Sequence, residues 1–305
     1  SDITDWFNSW DQKDVFLEDV MASCYYQDKL YGLPFAPNCI GLWCNQAMLD
    51  EAGIEAPPAT YEELEEAAAK LTKDGVYGFA LSAIKTEEGT FQHLPFVMSA
   101  GGNILDLSSE ESKTGLRTLG RMFENGYISQ EALNWTQSDV LQQFMAGNVA
   151  MIISGNWNLT TIHSEVPDLE FTISPIPKAE GGNNVTILGG EAIGVTSTTE
   201  HPDQALQFLE WFLSKDVNAE LVKQCTRFSP RSDITAEDLY PGDEELAIYV
   251  ELMQDAKPRG PHPKWTEISN VFQVAFQEAW TQTKDIDTAM DEAAQKIAEI
   301  DATTK

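Results

Sequence analysis

Leu30-Tyr-Gly-Leu-Pro-Phe-Ala-Pro-Asn-Cys-Ile-Gly-Leu-Trp-Cys-Asn45 is the stretch on which the reading of the fold turns. It opens as an apolar, aromatic run with the composition of a β-strand. Pro34 and Pro37 then interrupt it, and a proline cannot donate to a central ladder. A second strand-like run, Ile40 to Cys44, follows, and a helical run starts near Gln46. The pattern predicts one extended segment that leaves one sheet, crosses a gap and enters another. Polar groups at such a crossing face a cleft, which makes Asn38 the first candidate for a ligand contact.

Upstream, Trp6, Phe7, Trp10, Val15 and Phe16 are apolar, and a strand-like Ser23-Cys-Tyr-Tyr26 leads to a hairpin turn read at Asp28-Lys29. Downstream, Thr60 and Glu63 form a capping box, Leu64, Ala67, Ala68 and Leu71 make one apolar helical face, and Gly75 ends the helix. A strand over 76–81 is followed by a loop with Lys85, Glu87, Glu88 and Gly89, then by a helix expected over 91–100. Gly101-Gly102-Asn103 reads on its own as a plain turn. Ser108 and Glu111 read as a second capping box, ahead of the face Leu116, Leu119, Met122 and Phe123. Val149 to Ser154 has the composition of a buried strand, and Gly155-Asn156-Trp157-Asn158 turns from it into a helix. Without further context Trp157 reads as core. Beyond lie a strand over 169–173, Gly189-Gly190-Glu191 with a strand after it, a helix begun at Thr199 with Pro202 just inside, and a loop Thr226 to Asp233. A helix over 243–256, a proline-rich loop to Pro263, Trp265 at the head of a helix to Thr283, and an amphipathic helix over 286–300 complete the chain.

The 305 residues suffice for about two domains. A hydrophobic content of 42% supports sizeable cores. Nineteen Lys and Arg against 49 Asp and Glu give a net charge of −30, which disfavours nucleic acid and anionic lipid surfaces. No apolar run reaches the ~18 residues of a membrane span, and no signal peptide opens the sequence. Cys24, Cys39, Cys44 and Cys225 have no metal-ligand spacing and read as mostly buried, free thiols; a Cys24–Cys225 bridge has no support in the sequence.

Several stretches together resemble the extracellular solute-binding proteins of ABC importers, in the sugar-binding, maltose-binding-protein-like branch. They are Tyr31-Gly-Leu-Pro34, Trp43-Cys-Asn45, Ala52-Gly-Ile54 with Pro57, Thr60 and Glu63-Leu64, and then Phe144 to Leu159, Leu188 to Ser197 and Phe228 to Ile234, in the same order as in that family. Gly147, Ala150, Met151, Gly155 and Trp157 occupy the positions of one of its signatures. The resemblance implies an α/β, two-lobed periplasmic-binding-protein-like fold of type II, with hinged lobes and a cleft between them. It assigns residues 1–37 and 190–252 to an N-terminal lobe and 38–189 and 253–305 to a C-terminal lobe. The N-terminal lobe is expected to be incomplete, because roughly the first quarter of the family's mature chain has no counterpart. It moves Trp157 from core to cleft, where an indole stacks on the C–H face of a sugar while hydroxyls find directional partners. The ligand contacts it implies are Asn38, Phe91, Gly102, Asn103, Asn156, Trp157, Glu191, Arg227 and Trp265. Glu191 reads equally as a hydroxyl acceptor or as the partner of a cation, and Gly189-Gly190 as a hinge. The expected partners are a carbohydrate and the membrane permease. The chain is expected to act as a monomer outside the cell, as a surface lipoprotein or in the periplasm, with no cofactor or metal.

Catalysis has little in the sequence to support it. Paired carboxylates flanking a glycosidic bond sit in no recognisable motif, and His93, His163, His201 and His262 have no metal spacing. His93 reads as a wall or surface residue, and Arg231 as a structural ion-pair residue. Asn134, Asn158 and Asn184 begin glycosylation sequons that read as chance matches. The alternatives are a glycoside-processing enzyme and a binder of a non-sugar solute such as a polyamine or peptide.

Overall fold

The computed structural model describes residues 1–304. Its α/β chain forms two compact units. The smaller consists of Ser1–Cys39 and Leu188–Pro263, and the larger of Ile40–Ile187 with the stretch from Lys264 to the C-terminus. Lys305, the last residue of the expected C-terminal lobe, lies outside the described residues.

The larger unit is built on a four-stranded sheet in the order Tyr77–Ala80, Val149–Gly155, Ile40–Asn45, Phe171–Ser174. The first pair is parallel and the other two are antiparallel. Every residue of Val149–Gly155 and Ile40–Asn45 is buried, as expected of central strands covered on both faces, whose sequences read as continuous apolar runs. Asn45 ends its strand by accepting Met48 N–H at 3.1 Å, which caps the Gln46–Glu51 helix. The Thr60–Glu63 box caps Tyr61–Leu71, and that helix buries Leu64, Ala67, Ala68 and Leu71.

Three helix starts differ from the sequence reading. The Glu110–Glu124 helix is capped by Ser109, which accepts from Ser112 N–H, one residue later than the Ser108 box. The Pro202–Phe212 helix starts at its proline, and Thr199 instead accepts His201 N–H at 3.2 Å. The third matters most: the helix expected over 91–100 spans Glu87–Met98. Thr86 is extended, and Glu87 and Glu88 occupy the first turn, where carboxylates complement the helix dipole. Gly89 through Val97 are all buried, so this helix runs through the core rather than along it.

His93 sits on that helix with no exposed surface. The structure therefore corrects its reading as a wall or surface residue. Its ring stacks on Phe276, with centroids 4.2 Å apart and planes 4° from parallel. Nδ1 lies 2.7 Å from Gly89 O, and Nε2 accepts Trp280 Nε1–H at 3.0 Å. Together these fix a neutral imidazole protonated on Nδ1. Burial holds its pKa down at about 4.

In the smaller unit, Tyr25–Tyr26 and Lys29–Leu30 form a hairpin. Its turn is Gln27–Asp28, both at positive φ, one residue earlier than read. Leu33–Pro34 pairs antiparallel with Ala192–Ile193. A core of Ile3, Phe7, Trp10, Leu30, Leu33 and Leu209, among others, holds the N-terminal segment against the Pro202–Phe212 helix. Arg231 is 3% exposed and is bound to Asp233, Leu213 O and Gln12, a structural role. None of the four cysteines forms a disulfide, and Cys225 is exposed rather than buried.

Candidate functional site

In the larger unit the strand Val149–Gly155 delivers the chain to Asn156–Asn158, one 3-10 turn, and then to the Leu159–Glu165 helix. The Trp157 indole folds back over the end of its own strand. A Cβ on residue 155 would lie 2.1 Å from Trp157 Cζ3 and 2.2 Å from Cη2, so only glycine leaves room for the ring there. Phe91 lies beside it, with centroids 6.3 Å apart and planes inclined by 39°. Phe91 is 6% exposed and backs the pair; Trp157 is the half-buried member with surface to offer. Asn158 Nδ2 donates to Ser154 Oγ at 3.1 Å, tying the turn to the strand, and Asn156 is fully buried.

The remaining candidates of this unit make contacts of their own. Trp265 opens the Trp265–Trp280 helix and donates from Nε1 to Glu87 Oε1 at 2.9 Å, one helical turn before Phe91. Asn103 is exposed and makes an Asx turn, its Oδ1 accepting Leu105 N–H at 2.9 Å. Gly102 packs so closely that a Cβ would meet Val97 O at 2.4 Å and Ser112 Cα at 2.5 Å. Gly102 and Asn103 thus build the turn into the Glu110–Glu124 helix.

The smaller unit brings three sequence candidates together. Asn38 pairs with Gly189 through two backbone hydrogen bonds, at 3.2 and 2.8 Å. Gly190 follows with φ 112°, and a Cβ there would stand 2.5 Å from Ala36 O. That close approach sets Glu191 beside Arg227, whose Nη1 donates to both carboxylate oxygens at 3.0 and 2.9 Å. With its oxygen turned to the donors, the Asn38 amide accepts from Gly190 N–H at 3.1 Å and from Arg227 Nη1. Tyr240 Oη donates to Arg227 O at 2.8 Å and steadies the loop from behind. Of the two readings of Glu191, the structure displays the ion pair; its carboxylate remains 53% exposed, with lone pairs left for a hydroxyl.

The sequence did not single out the buried amide of Gln92, next to Phe91. No local signal marked it: Gln92-His93 reads as a polar pair between Phe91 and Leu94, and a helix buried on all sides carries no amphipathic period. Among the described residues no group of three or more His, Cys, Asp or Glu is placed to hold a metal ion. Nor is any described helix long and apolar enough to cross a membrane.

Comparison with known proteins agrees with this architecture. The chain is similar to the galactooligosaccharide-binding protein of Bacillus subtilis, at 25% identity over 93% of this chain and 69% of that protein. The structure superposes on an ABC transporter solute-binding protein of Thermotoga lettingae solved with α-D-tagatose, at TM-score 0.88 and 25% identity, over 98% of this chain and 80% of the other. It shares its fold with maltose-bound T. maritima MalE3, at TM-score 0.86 and 21% identity, over 98% and 80% of the two chains. The family model described as bacterial extracellular solute-binding protein matches residues 2–248. With most of its length inside that match, the chain belongs to the bacterial extracellular solute-binding protein family.

Proposed function

We propose that the protein is the binding component of an ABC importer, that it takes up a carbohydrate, most simply an oligosaccharide, and that it delivers the sugar unchanged to a membrane permease. The observation that carries this reading is the Trp157 indole, held over Gly155 and backed by Phe91. An indole presents the apolar face that the C–H side of a pyranose matches. Hydroxyls then require directional donors and acceptors; within the smaller unit, Asn38, Glu191 and Arg227 gather an amide, a carboxylate and a guanidinium, the group types that hydroxyls need. Trp265 and Asn103 are secondary contacts in this scheme. Gly102 and the buried Asn156 serve the turns that present their neighbours. The ligand of the Bacillus relative and the tagatose of the Thermotoga neighbour support a sugar over a cationic solute.

We read the protein as non-catalytic and monomeric, working outside the cytoplasmic membrane either lipid-anchored or in the periplasm. Calorimetry against a panel of mono- and oligosaccharides tests the assignment. Saturable one-site binding, with the sugar recovered intact by chromatography, is expected. Silence across the panel would remove the carbohydrate, and shortened glycans in the recovered fraction would replace the binder with a glycoside-processing enzyme. Sedimentation at the calorimetric concentration checks the oligomeric state.

A further inference from the structure

The helix that carries Phe91 is tied to its surroundings by polar side chains buried where apolar ones would fill the space as well. Gln92 is among them, at 1% exposure. Its Oε1 accepts Ser82 N–H at 2.5 Å, and its Nε2 donates to Ile153 O at 3.0 Å. These partners occupy a particular place. The parallel ladder between Tyr77–Ala80 and Val149–Gly155 has its last pair at Ala80 and Ile152. Just past that pair the chains part, leaving the N–H of Ser82, two residues beyond its strand, and the C=O of Ile153 to be satisfied, and the Gln92 amide takes both. Ser82 Oγ in turn donates to Trp135 O at 2.8 Å. Glu87, on the same helix, accepts from Trp265 Nε1 at 2.9 Å and from Ser269 Oγ at 2.5 Å, and Glu88 accepts Gln137 N–H at 2.6 Å.

We propose that Gln92 is a positioning residue for the aromatic platform: without touching ligand, it sets carbohydrate affinity by fixing the Phe91 ring relative to the Trp157 indole. This rests on the reading of that pair as the sugar-holding surface. The physical argument is one of direction. Apolar packing holds a helix against a sheet but leaves it free to slide by fractions of an ångström, whereas two hydrogen bonds of defined geometry on one planar amide hold a single register. Ile153 stands two residues before Gly155 and four before Trp157, so the register imposed at Gln92 passes directly to the indole.

The test compares Gln92→Met with Met290→Ala, a core truncation in the Ile286–Ala302 helix, which carries none of the aromatic candidates. Both variants are measured for thermal stability and carbohydrate affinity, and their crystal structures are solved. Gln92→Met is expected to raise Kd by about two- to tenfold and to change the separation of the Phe91 and Trp157 rings. Met290→Ala is expected to lower Tm while leaving Kd unchanged. Should Gln92→Met fail to fold, Gln92→Asn, one methylene too short to span both partners, gives the same comparison. Equal loss of affinity in both variants, an unchanged Kd in the Gln92 variant, or lost affinity with the rings unmoved would each overturn the proposal. If the unaltered protein binds no carbohydrate, the functional reading falls by itself, and the ring positions in the variant crystal still decide whether Gln92 sets them.

Discussion

Gly155→Ala adds one methyl group where the Trp157 indole already lies. The added carbon would stand 2.1, 2.2 and 2.5 Å from three ring atoms, against an optimum of about 3.5–4.0 Å for carbon pairs. The ring, the backbone or both must therefore move by about 1.4 Å to restore contact distance. Overpacking of this kind typically costs about 1–3 kcal/mol of stability. The displacement also disturbs the 6.3 Å, 39° arrangement with Phe91, and an aromatic contact of that type is worth about 0.5–1.5 kcal/mol. Transferred to a stacked sugar, the upper end of that range is about tenfold in Kd. The assay pairs urea unfolding with calorimetry and completes a double-mutant cycle with Trp157→Ala. Gly155→Ala alone should lose stability and affinity together. In the Trp157→Ala background the three atoms nearest the added methyl group are gone, so most of the stability cost of Gly155→Ala should disappear. If Gly155→Ala leaves both quantities unchanged, or costs the same in both backgrounds, the indole does not rest on Gly155 and the account of the platform is wrong.

Three further predictions address other parts of the molecule. His93 is held neutral at a pKa of about 4 against an ordinary 6.5. The unfolded chain thus takes up a proton below pH 6.5 that the folded chain refuses until about pH 4. Its contribution to stability is complete above pH 6.5 and is lost as pH falls from there to about 4, by about 3 kcal/mol in all. Urea unfolding across that range should show the slope in the natural protein and a shallower one in His93→Gln; identical slopes would refute it. Glu191→Ala removes a half-exposed ion-pair partner and should cost under about 1 kcal/mol of stability, yet it takes away the carboxylate that orients Arg227 Nη1 and should weaken carbohydrate binding several-fold by calorimetry. Cys225 should react rapidly with a thiol reagent in the native protein. Cys24, Cys39 and Cys44 should react only on unfolding, Cys44 being both buried and pushed up to about 12 by that burial.

The local chemistry of the larger unit was plain from its sequence. Thr60 and Glu63 cap a helix because a hydroxyl and a carboxylate three residues apart can satisfy each other's backbone N–H groups, and that depends on nothing distant. Ile40–Asn45 and Val149–Gly155 announce themselves because strands buried on both faces read as near-continuous apolar runs, here Ile40 to Cys44 and Val149 to Ile153. The Glu87–Met98 helix was misread at its start for the same physical reason. A helix buried on every side carries no amphipathic period, so neither its first turn nor the enclosure of His93 is marked. At the candidate site, the tryptophan of the turn could be named, whereas the reason for the glycine two residues earlier is a contact of 2.1 Å that only coordinates reveal. Asn38, Glu191 and Arg227 could each be named singly. Their convergence depends on the pairing of Asn38 with Gly189, residues 151 positions apart in the chain, and pairings at that distance have no local signature.

The central claim is that Trp157 holds a sugar ring, and calorimetric titration of the natural protein and Trp157→Ala with the same oligosaccharide tests it most directly. The account predicts saturable binding by the natural protein and an affinity at least about tenfold weaker in the variant, with the two proteins indistinguishable by far-UV circular dichroism. Equal affinities in two folded proteins would contradict it.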